Sequence, residues 1–399
     1  MARILKFTIE GLAGRLEPFS AVLNGDVNVF FGLNGSGKTT LLKILHSALS
    51  LETDILKDAP FRHAEVEVYL NRYQAAFVRR FTQSGQTESI SSGPPDQLGS
   101  ALGASDDSQT NELAYLRSIV SPQTDRKASL AWVTDPPEPE GARTGYGQGF
   151  LPISRLYRNI STTTGTRRLS DQELDSAFAR GLQVQWTEYY ADISKSITKA
   201  QEKGLANILE FFLSGGGRRK REKDEALDAE KAYKSIRAFL SRQPGFSHLL
   251  RSKTEFVAIY QKRRDLQNVI KQIELVEKQI DAISAPRERF RRVLESMFTG
   301  SKHLVFTEKD IQVELPENKQ IGLSLLSSGE KQLLFIALNA LVGGDHSLII
   351  DEPELSMHVD WQKKLVATLR DLNPNIQQIM ATHSPEIMAD LPDDRIFRL

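Results

Sequence analysis

A glycine-rich loop at residues 32–39, GLNGSGKT, has the composition and spacing of a phosphate-binding P-loop. Its glycines let consecutive backbone N–H groups curl round a phosphate, and the N-terminus of a following helix adds positive potential. Lys38 can reach the β- and γ-phosphates of a nucleotide, and the Thr39 hydroxyl can ligate Mg²⁺. The predicted nucleotide-binding residues of this loop are Gly32, Asn34, Gly35, Ser36, Gly37, Lys38, Thr39 and Thr40.

Two acidic residues follow an apolar run at residues 348–350. Asp351 would hold Mg²⁺ through water, as acids at the end of a neighbouring strand do at P-loops. Glu352 would polarise the attacking water as a general base. An apolar strand that ends in two acids is common in proteins, and the P-loop is what makes this pair a candidate for catalysis.

Two further segments could contact phosphate. Residues 326–332, LSSGEKQ, place a hydroxyl residue and a glycine where a helix is expected to begin, which creates a second anion-binding helix end. The alternative for this segment is an ordinary helix-capping sequence. The other candidate is His383, which follows an apolar run at residues 378–380 and could instead be a turn residue.

Taken in this order, the four motifs resemble those of ABC-type ATPases, in the form found in SMC-, RecF- and OLD-like proteins. The resemblance implies a homodimer that encloses ATP and Mg²⁺ between its subunits. It assigns Ser327 and the Gly329 backbone to the γ-phosphate bound by the partner subunit, and His383 to sensing that phosphate. It further implies that Glu352, Lys38 and His383 are the catalytic residues, and that Thr39 and Asp351 are the metal-binding residues.

The stretch DEPELSMH at residues 351–358 resembles the OLD-type branch, which includes ATPase subunits of PARIS and Septu anti-phage systems. The family also has a glutamine loop that helps to bind Mg²⁺ and water. Gln74 and Gln148 are both candidates for it, and the sequence does not decide between them.

The chain divides into four zones that differ in composition and in the spacing of apolar residues. Residues 1–82 and 298–399 alternate strand and helix patterns, and they predict one α/β ATPase head assembled from both ends of the chain. Residues 83–169 are rich in Gly, Ser, Pro and acids, which predicts a loop-rich insertion. Residues 170–297 are helical, with a capping box predicted at Ser170 and Glu173.

Within the helical zone, the apolar residues Ile259, Leu266, Ile273 and Ile280 are spaced seven apart. Together with the apolar positions between residues 178 and 211, this repeat predicts a short antiparallel coiled-coil hairpin inserted into the head. Two amphipathic helices of a compact subdomain are the alternative.

The composition restricts the partners and the compartment. Lys and Arg total 51, Asp and Glu total 51, and there is no cysteine. The balanced charge provides no global attraction to nucleic acid or membrane, and the absence of cysteine is typical of a reducing cytoplasm. No secretory signal or membrane span is predicted.

Two functions remain open at this point. The first is a regulatory ATPase that controls a separate effector such as a nuclease, in anti-phage defence. A separate effector is expected because only about 16 residues follow His383, which leaves no room for a nuclease domain. The second is a DNA-repair ATPase of the RecF or SMC kind, for which the basic groups at residues 218–221 and 287–292 could meet phosphates.

Overall fold

The computed structural model describes residues 2–83, 131–137, 150–152, 171–213, 228–241, 252–298, 302–316, 319–344 and 346–399. The chain forms two compact units, one made of Met1–Gln183, Val293–Val305 and Ile311–Leu399, and the other of Val184–Arg292 and Phe306–Asp310. Gln148, Ser170 and the basic group at 218–221 lie outside the described residues, so the predictions made for them stay predictions.

The strands in the described ranges are β1 (Ala2–Glu10), β2 (Phe19–Val22), β3 (Val27–Phe31), β4 (His63–Leu70), β5 (Ala75–Thr82), β6 (Val133–Asp135), β7 (Phe150–Pro152), β8 (His303–Phe306), β9 (Ile311–Leu315), β10 (Lys319–Ile321), β11 (Ser347–Asp351), β12 (Gln377–Thr382) and β13 (Ile396–Arg398). The helices there are α1 (Lys38–Ser50), α2 (Asp171–Leu213), α3 (Ala229–Ser241), α4 (Lys253–Lys262), α5 (Arg264–Met297), α6 (Ser328–Val342), α7 (Val359–Leu372) and α8 (Pro385–Met388).

A parallel sheet with the strand order β13-β3-β12-β11-β7 forms the centre of the first unit. Every residue of β11 and β12 is buried. Strands that are buried along their whole length are typical of a parallel sheet that is covered on both faces. Because β3 lies between β12 and β13, the prediction of an α/β head formed from both chain ends is confirmed.

An antiparallel sheet with the order β2-β1-β4-β5-β6 accompanies the parallel sheet in the same unit. Strand β4 alternates strictly between half-buried and buried residues, as a strand with one face on the core must. Strands β4 and β5, which lie in the zone of alternating patterns at residues 1–82, form a hairpin with Leu70 opposite Ala75 at its turn. Helix α1 contributes Leu41, Leu42, Leu45 and Leu49 to the core between these layers.

The second unit is built mainly from α2, α3, α4 and α5. Trp186 and Phe290 are stacked with ring centroids 6.0 Å apart, and further along, Gly204 lies against Val276. The two contacts together show that α2 and α5 run antiparallel. A β-carbon on Gly204 would come within 2.2 Å of a Val276 methyl, so the glycine permits the close approach of the two helices.

One feature of this unit corrects the heptad interpretation. The repeat that includes Ile259 and Leu266 predicts one uninterrupted helix, but the chain leaves the helical conformation at Arg263, where φ is −115° and ψ is 103°. Ile259 therefore belongs to α4 and Leu266 to α5. The regular seam begins only afterwards, where Ile273, Val276 and Ile280 are buried.

None of the helices in the described part of the chain is both long and apolar enough to cross a membrane.

Candidate nucleotide-binding site

Three of the predicted segments lie at the same edge of the parallel sheet. The pairing register places Phe31 beside Thr382 and Asp351 beside Ala381. The P-loop, His383 and Glu352 therefore leave the carboxyl ends of three adjacent strands, with His383 on the middle one. Neighbouring strands are about 4.8 Å apart, so the first and third segments start about 10 Å from each other. Ligands of open α/β sheets bind at this edge.

The backbone of the P-loop depends on glycine at two positions. Gly35 and Gly37 have φ values of 84° and 100°, which side-chain-bearing residues rarely adopt. Gly37 is also the N-cap of α1 and has no side-chain hydrogen bond to the helix. The first N–H groups of α1 therefore receive no side-chain cap from it and can bind an anion.

Lys38 folds over the loop. Its ammonium group donates hydrogen bonds to the carbonyls of Gly32 at 2.7 Å and Leu33 at 2.9 Å, and the residue is 5 % exposed. An ammonium group has three N–H donors. The described contacts use two of them, and the third can reach a phosphate oxygen.

The residues present fit a magnesium–nucleotide complex. The Ser36 hydroxyl is buried and has no hydrogen-bond partner among the described residues, as expected of a group that contacts a ligand. Thr39 lies in the first turn of α1, and Asp351 is buried at the end of β11. Hydroxyl and carboxylate oxygens are the hard ligands that Mg²⁺ prefers.

Glu352 has a left-handed backbone, with φ at 52°. For a residue other than glycine this costs roughly 1–2 kcal/mol. Two hydrogen bonds hold it there: its N–H donates to the Ala381 carbonyl at 2.8 Å, and its own carbonyl accepts from Leu355 at 3.2 Å. Strain of this kind concentrates at functional sites, which supports the role predicted for Glu352.

The LSSGE segment begins α6 with a complete capping box. The Ser327 hydroxyl accepts from the Glu330 N–H at 3.3 Å, and the Glu330 carboxylate accepts from the Ser327 N–H at 2.7 Å. The capping alternative is therefore correct as a description of the local structure. The Ser327 side chain is exposed, so capping and phosphate binding are compatible.

Glu330 also accepts a hydrogen bond from Lys302 at 2.7 Å. Burial by itself would raise the pKa of Glu330, but the hydrogen bonds from Lys302 and Ser327 outweigh it and hold the pKa below its ordinary value. The carboxylate thus stays ionised, and it fixes the backbone of Ser327.

Gly329 is buried beneath the chain segment that follows Glu352. A β-carbon at Gly329 would lie 2.3 Å from the Ser356 carbonyl oxygen. Ser356 itself has a positive φ of 63°, and Gln332 on the same helix donates to the Pro353 carbonyl at 2.6 Å. The glycine therefore allows residues 353–356 to lie across the start of α6. Its predicted contact with phosphate stays a prediction.

Replacing Gly329 by alanine is expected to lower the free energy of unfolding by about 1–3 kcal/mol, because the new methyl group must displace backbone. We expect ATP hydrolysis to fall as well, since the displaced segment begins at Glu352. Urea unfolding and phosphate release are the measurements. Gly322→Ala is the matched control, because Gly322 has φ at −73° and its nearest atom would lie at an ordinary 3.5 Å. Equal stability of the two variants would contradict the prediction.

His383 is held by a residue that the sequence reasoning did not single out. Glu354 accepts hydrogen bonds from the His383 backbone N–H at 2.8 Å and lies 3.0 Å from its Nδ1. Glu354 belongs to the stretch at residues 351–358 that resembles the OLD-type branch. In that stretch Ser356 and His358 are exposed, whereas Glu354 is buried. In the sequence, the only feature that could have pointed to Glu354 as a site residue is its position two residues after Glu352.

Gln74 lies far from the P-loop end of the sheet. It occupies the β4–β5 turn, next to the Leu70–Ala75 pair. Leu70 pairs with Ala2, whose carbonyl accepts from Ser347 at the amino end of β11. Gln74 therefore lies towards the amino end of β11, whereas the P-loop, Glu352 and His383 lie at the carboxyl ends of the parallel strands. This position excludes Gln74 as the glutamine that helps to bind Mg²⁺.

Two curated relatives share part of this sequence. The retron Vc95 probable ATPase of Vibrio cholerae serotype O1 biovar El Tor is 24 % identical over 232 residues, which are 52 % of this chain and 41 % of the relative. The retron Ec83 probable ATPase of Escherichia coli is 27 % identical over 89 residues, 22 % of this chain and 16 % of the relative. The chain thus matches less than half of the length of either protein.

Among solved structures, an Smc head domain of Pyrococcus furiosus bound to the C-terminal domain of ScpA is 14 % identical, with a TM-score of 0.40 over 98 % of this chain and 92 % of that one. The SMC head domain of Thermotoga maritima is 11 % identical, with a TM-score of 0.37 over 97 % and 91 % of the two chains. Likenesses this distant do not define the fold, which follows from the strand order itself.

A family model described as "AAA domain, putative AbiEii toxin, Type IV TA system" matches residues 188–389. This range includes the LSSGE segment, Asp351, Glu352 and His383, and it begins after the P-loop. The resemblance to PARIS and Septu subunits in particular stays a prediction. Since the match covers half of the sequence, this chain belongs to that family of AAA-domain proteins.

Proposed function

We propose that this protein hydrolyses ATP, closes around it as a homodimer and thereby controls a separate effector protein in anti-phage defence. The observation that carries the proposal is the convergence of the P-loop, Glu352 and His383 on three adjacent strand ends. A phosphate cradle alone would bind nucleotide. A carboxylate and an imidazole at the same edge add the groups that hydrolysis requires.

In the proposed mechanism the P-loop N–H groups and Lys38 hold the phosphates of the ATP substrate. Thr39 and Asp351 would hold Mg²⁺, which when bound neutralises developing charge on the phosphates. Glu352 accepts a proton from the attacking water, and its fixed backbone keeps the carboxylate in place. His383 contacts the terminal phosphate from the middle strand.

The dimer is inferred from the LSSGE helix. Ser327 is exposed, so its hydroxyl can be reached by an acceptor from outside its own cap. In the proposed dimer that acceptor is the γ-phosphate bound by the other subunit. Such contacts exist only before hydrolysis, so they favour the closed dimer in that state alone. Larger assemblies of such dimers are compatible with this arrangement.

Control of a separate effector protein is the most specific part of the proposal. The family description names a toxin and a toxin–antitoxin system, and the two curated relatives are named as ATPases of retrons. A toxin–antitoxin system has, by its name, more than one component, which supports the proposal of a separate effector. A cytoplasmic location is proposed with it, since the sequence contains no cysteine.

The experiment captures the Glu352→Gln protein with ATP from cells that also express its neighbouring genes. We expect a complex with the mass of at least two copies of this chain and a stoichiometric second protein that remains bound at high salt. The matched control is Glu386→Gln, on the exposed surface of α8, captured in the same way.

Two results would contradict the proposal. Co-purified DNA that is lost as salt rises would indicate the DNA-repair alternative, because phosphate contacts weaken steeply with salt. A bare monomer with bound ATP would overturn the homodimer itself.

A further inference from the structure

The strongest unassigned feature of the first unit is the contact between Glu354 and His383. One carboxylate oxygen, Oε1, lies 2.8 Å from the His383 backbone nitrogen and 3.0 Å from the ring Nδ1. The carboxylate is 7 % exposed and the histidine side chain 46 % exposed. The buried Glu354 side chain thus contacts a histidine whose own side chain is about half exposed.

The protonation of the ring follows from the donors present. A backbone N–H can only donate, so Oε1 acts as an acceptor towards it. An ionised carboxylate has no proton to give, so the Nδ1 contact is a hydrogen bond only when Nδ1 carries the proton. Nε2 lies on the far side of the imidazole from Nδ1, and it therefore faces away from Glu354.

The second carboxylate oxygen strengthens the case for function. Oε2 of Glu354 is buried and has no hydrogen-bond partner among the described residues. A buried acceptor without a partner costs free energy, and a purely structural link could be made by a neutral side chain at lower cost. Retention of a charged group here suggests that its charge acts on the imidazole.

We propose that Glu354 is a positioning residue that fixes the proton of His383 on Nδ1 and presents Nε2 to the terminal phosphate. A phosphate oxygen only accepts hydrogen bonds, so Nε2 can donate to it only from the protonated ring. The contact with Glu354 orients the ring so that Nε2 faces away from the carboxylate. The role in hydrolysis rests on the function proposed above, whereas the position of the proton does not.

A second link joins the same two segments and provides a control. The Ser384 hydroxyl donates to Gln362 Oε1 at 2.8 Å, and Gln362 Nε2 donates to the Met357 carbonyl at 2.9 Å. Ser384→Ala removes this tether and leaves the Glu354–His383 contact intact. Glu386→Gln, whose side chain pairs with Lys363, is the control for the chemical change from Glu to Gln.

The test compares Glu354→Gln and Glu354→Ala by nitrogen NMR of the histidine rings at pH 8, using His383→Asn to assign the resonance. In the unsubstituted protein we expect the proton of His383 on Nδ1 and an unprotonated Nε2. The Gln variant keeps an acceptor and should retain much of this tautomer, whereas the Ala variant should lose it. Both control variants should give the original spectrum.

The kinetic measurement separates positioning from folding. We expect kcat to fall by about 10- to 100-fold in Glu354→Ala, by analogy with the loss of a partner that orients a metal-bound histidine, and by less in Glu354→Gln. The KM for ATP should change little, because the P-loop is untouched. The unfolding temperature of the Gln variant should match that of the unsubstituted protein.

Several outcomes would overturn the inference. One is a His383 tautomer that does not change in Glu354→Ala. Another is a loss of kcat in Ser384→Ala equal to that in Glu354→Ala, which would make Glu354 a tether only. If the unsubstituted protein failed to hydrolyse ATP while the tautomer followed Glu354, the proposed hydrolysis would be wrong and the assignment of the proton would stand.

Discussion

Glu352→Gln is expected to bind ATP as tightly as the unsubstituted protein and to hydrolyse it about 10²- to 10⁴-fold more slowly, the contribution of a positioned general base. Glutamine has nearly the same shape as glutamate, so the backbone at φ 52° and its hydrogen bond to Ala381 should persist. Only the ability to accept a proton from water is lost. Because the γ-phosphate then remains, the protein should also accumulate as a closed dimer.

The measurements for Glu352→Gln are phosphate release, ATP affinity and native mass with ATP. Glu386→Gln should behave like the unsubstituted protein in all three. If the Glu352→Gln protein hydrolyses ATP at the rate of the unsubstituted protein, the catalytic role assigned to Glu352 is contradicted, whatever the oligomeric state.

Lys38→Ala is expected to lose about 10- to 150-fold in ATP affinity. Hydrogen bonds to charged groups contribute about 1.5–3 kcal/mol each, and the ammonium group is also the donor that secures the Gly32 and Leu33 carbonyls. The substitution therefore removes a phosphate contact and loosens the loop. Equilibrium binding of a fluorescent ATP analogue measures the loss, and Lys43→Ala on the same helix is the matched control.

A mixing experiment distinguishes loss of the site from loss of the fold in Lys38→Ala. Alone, neither Lys38→Ala nor Ser327→Arg should hydrolyse ATP. A mixed dimer would contain one complete site, built from the P-loop of the Ser327→Arg chain and the LSSGE segment of the Lys38→Ala chain. Equal mixing should therefore restore about a quarter of the activity, since half of the dimers are mixed and each has one site of two. No recovery would contradict a shared site.

The α/β head was predictable because its signals are local. The apolar run Val27–Phe31 forms a strand, and the helix expected after the glycine-rich loop begins at Lys38. Each of these elements is indicated by residues next to it in the sequence, namely the glycines of the loop, the apolar runs and the order of the motifs. The P-loop, Asp351, Glu352 and His383 could be identified for the same reason, and their meeting at one sheet edge follows from parallel pairing.

What could not be predicted depends on contacts between distant segments. The Glu354–His383 contact joins residues 29 positions apart, and neither residue has a pattern that indicates the other. The burial of Gly329 under Ser356 is likewise a property of two packed segments. In the helical zone, the seven-residue spacing continues through Arg263 although the helix does not, because spacing reports apolar positions and not backbone continuity.

The strand order of the parallel sheet has a consequence for synthesis of the chain. Strand β3 leads directly into the P-loop, yet both of its partners, β12 and β13, are made roughly 350 residues later. At about 5–20 residues per second, the ribosome leaves this apolar strand without sheet partners for on the order of 20–70 s. Val27, Val29 and Phe30 are buried in the finished sheet, and during that time they lack the two strands that flank them there. An apolar strand that stays unpaired for this long is prone to aggregation, so the nascent chain is an expected client for chaperones.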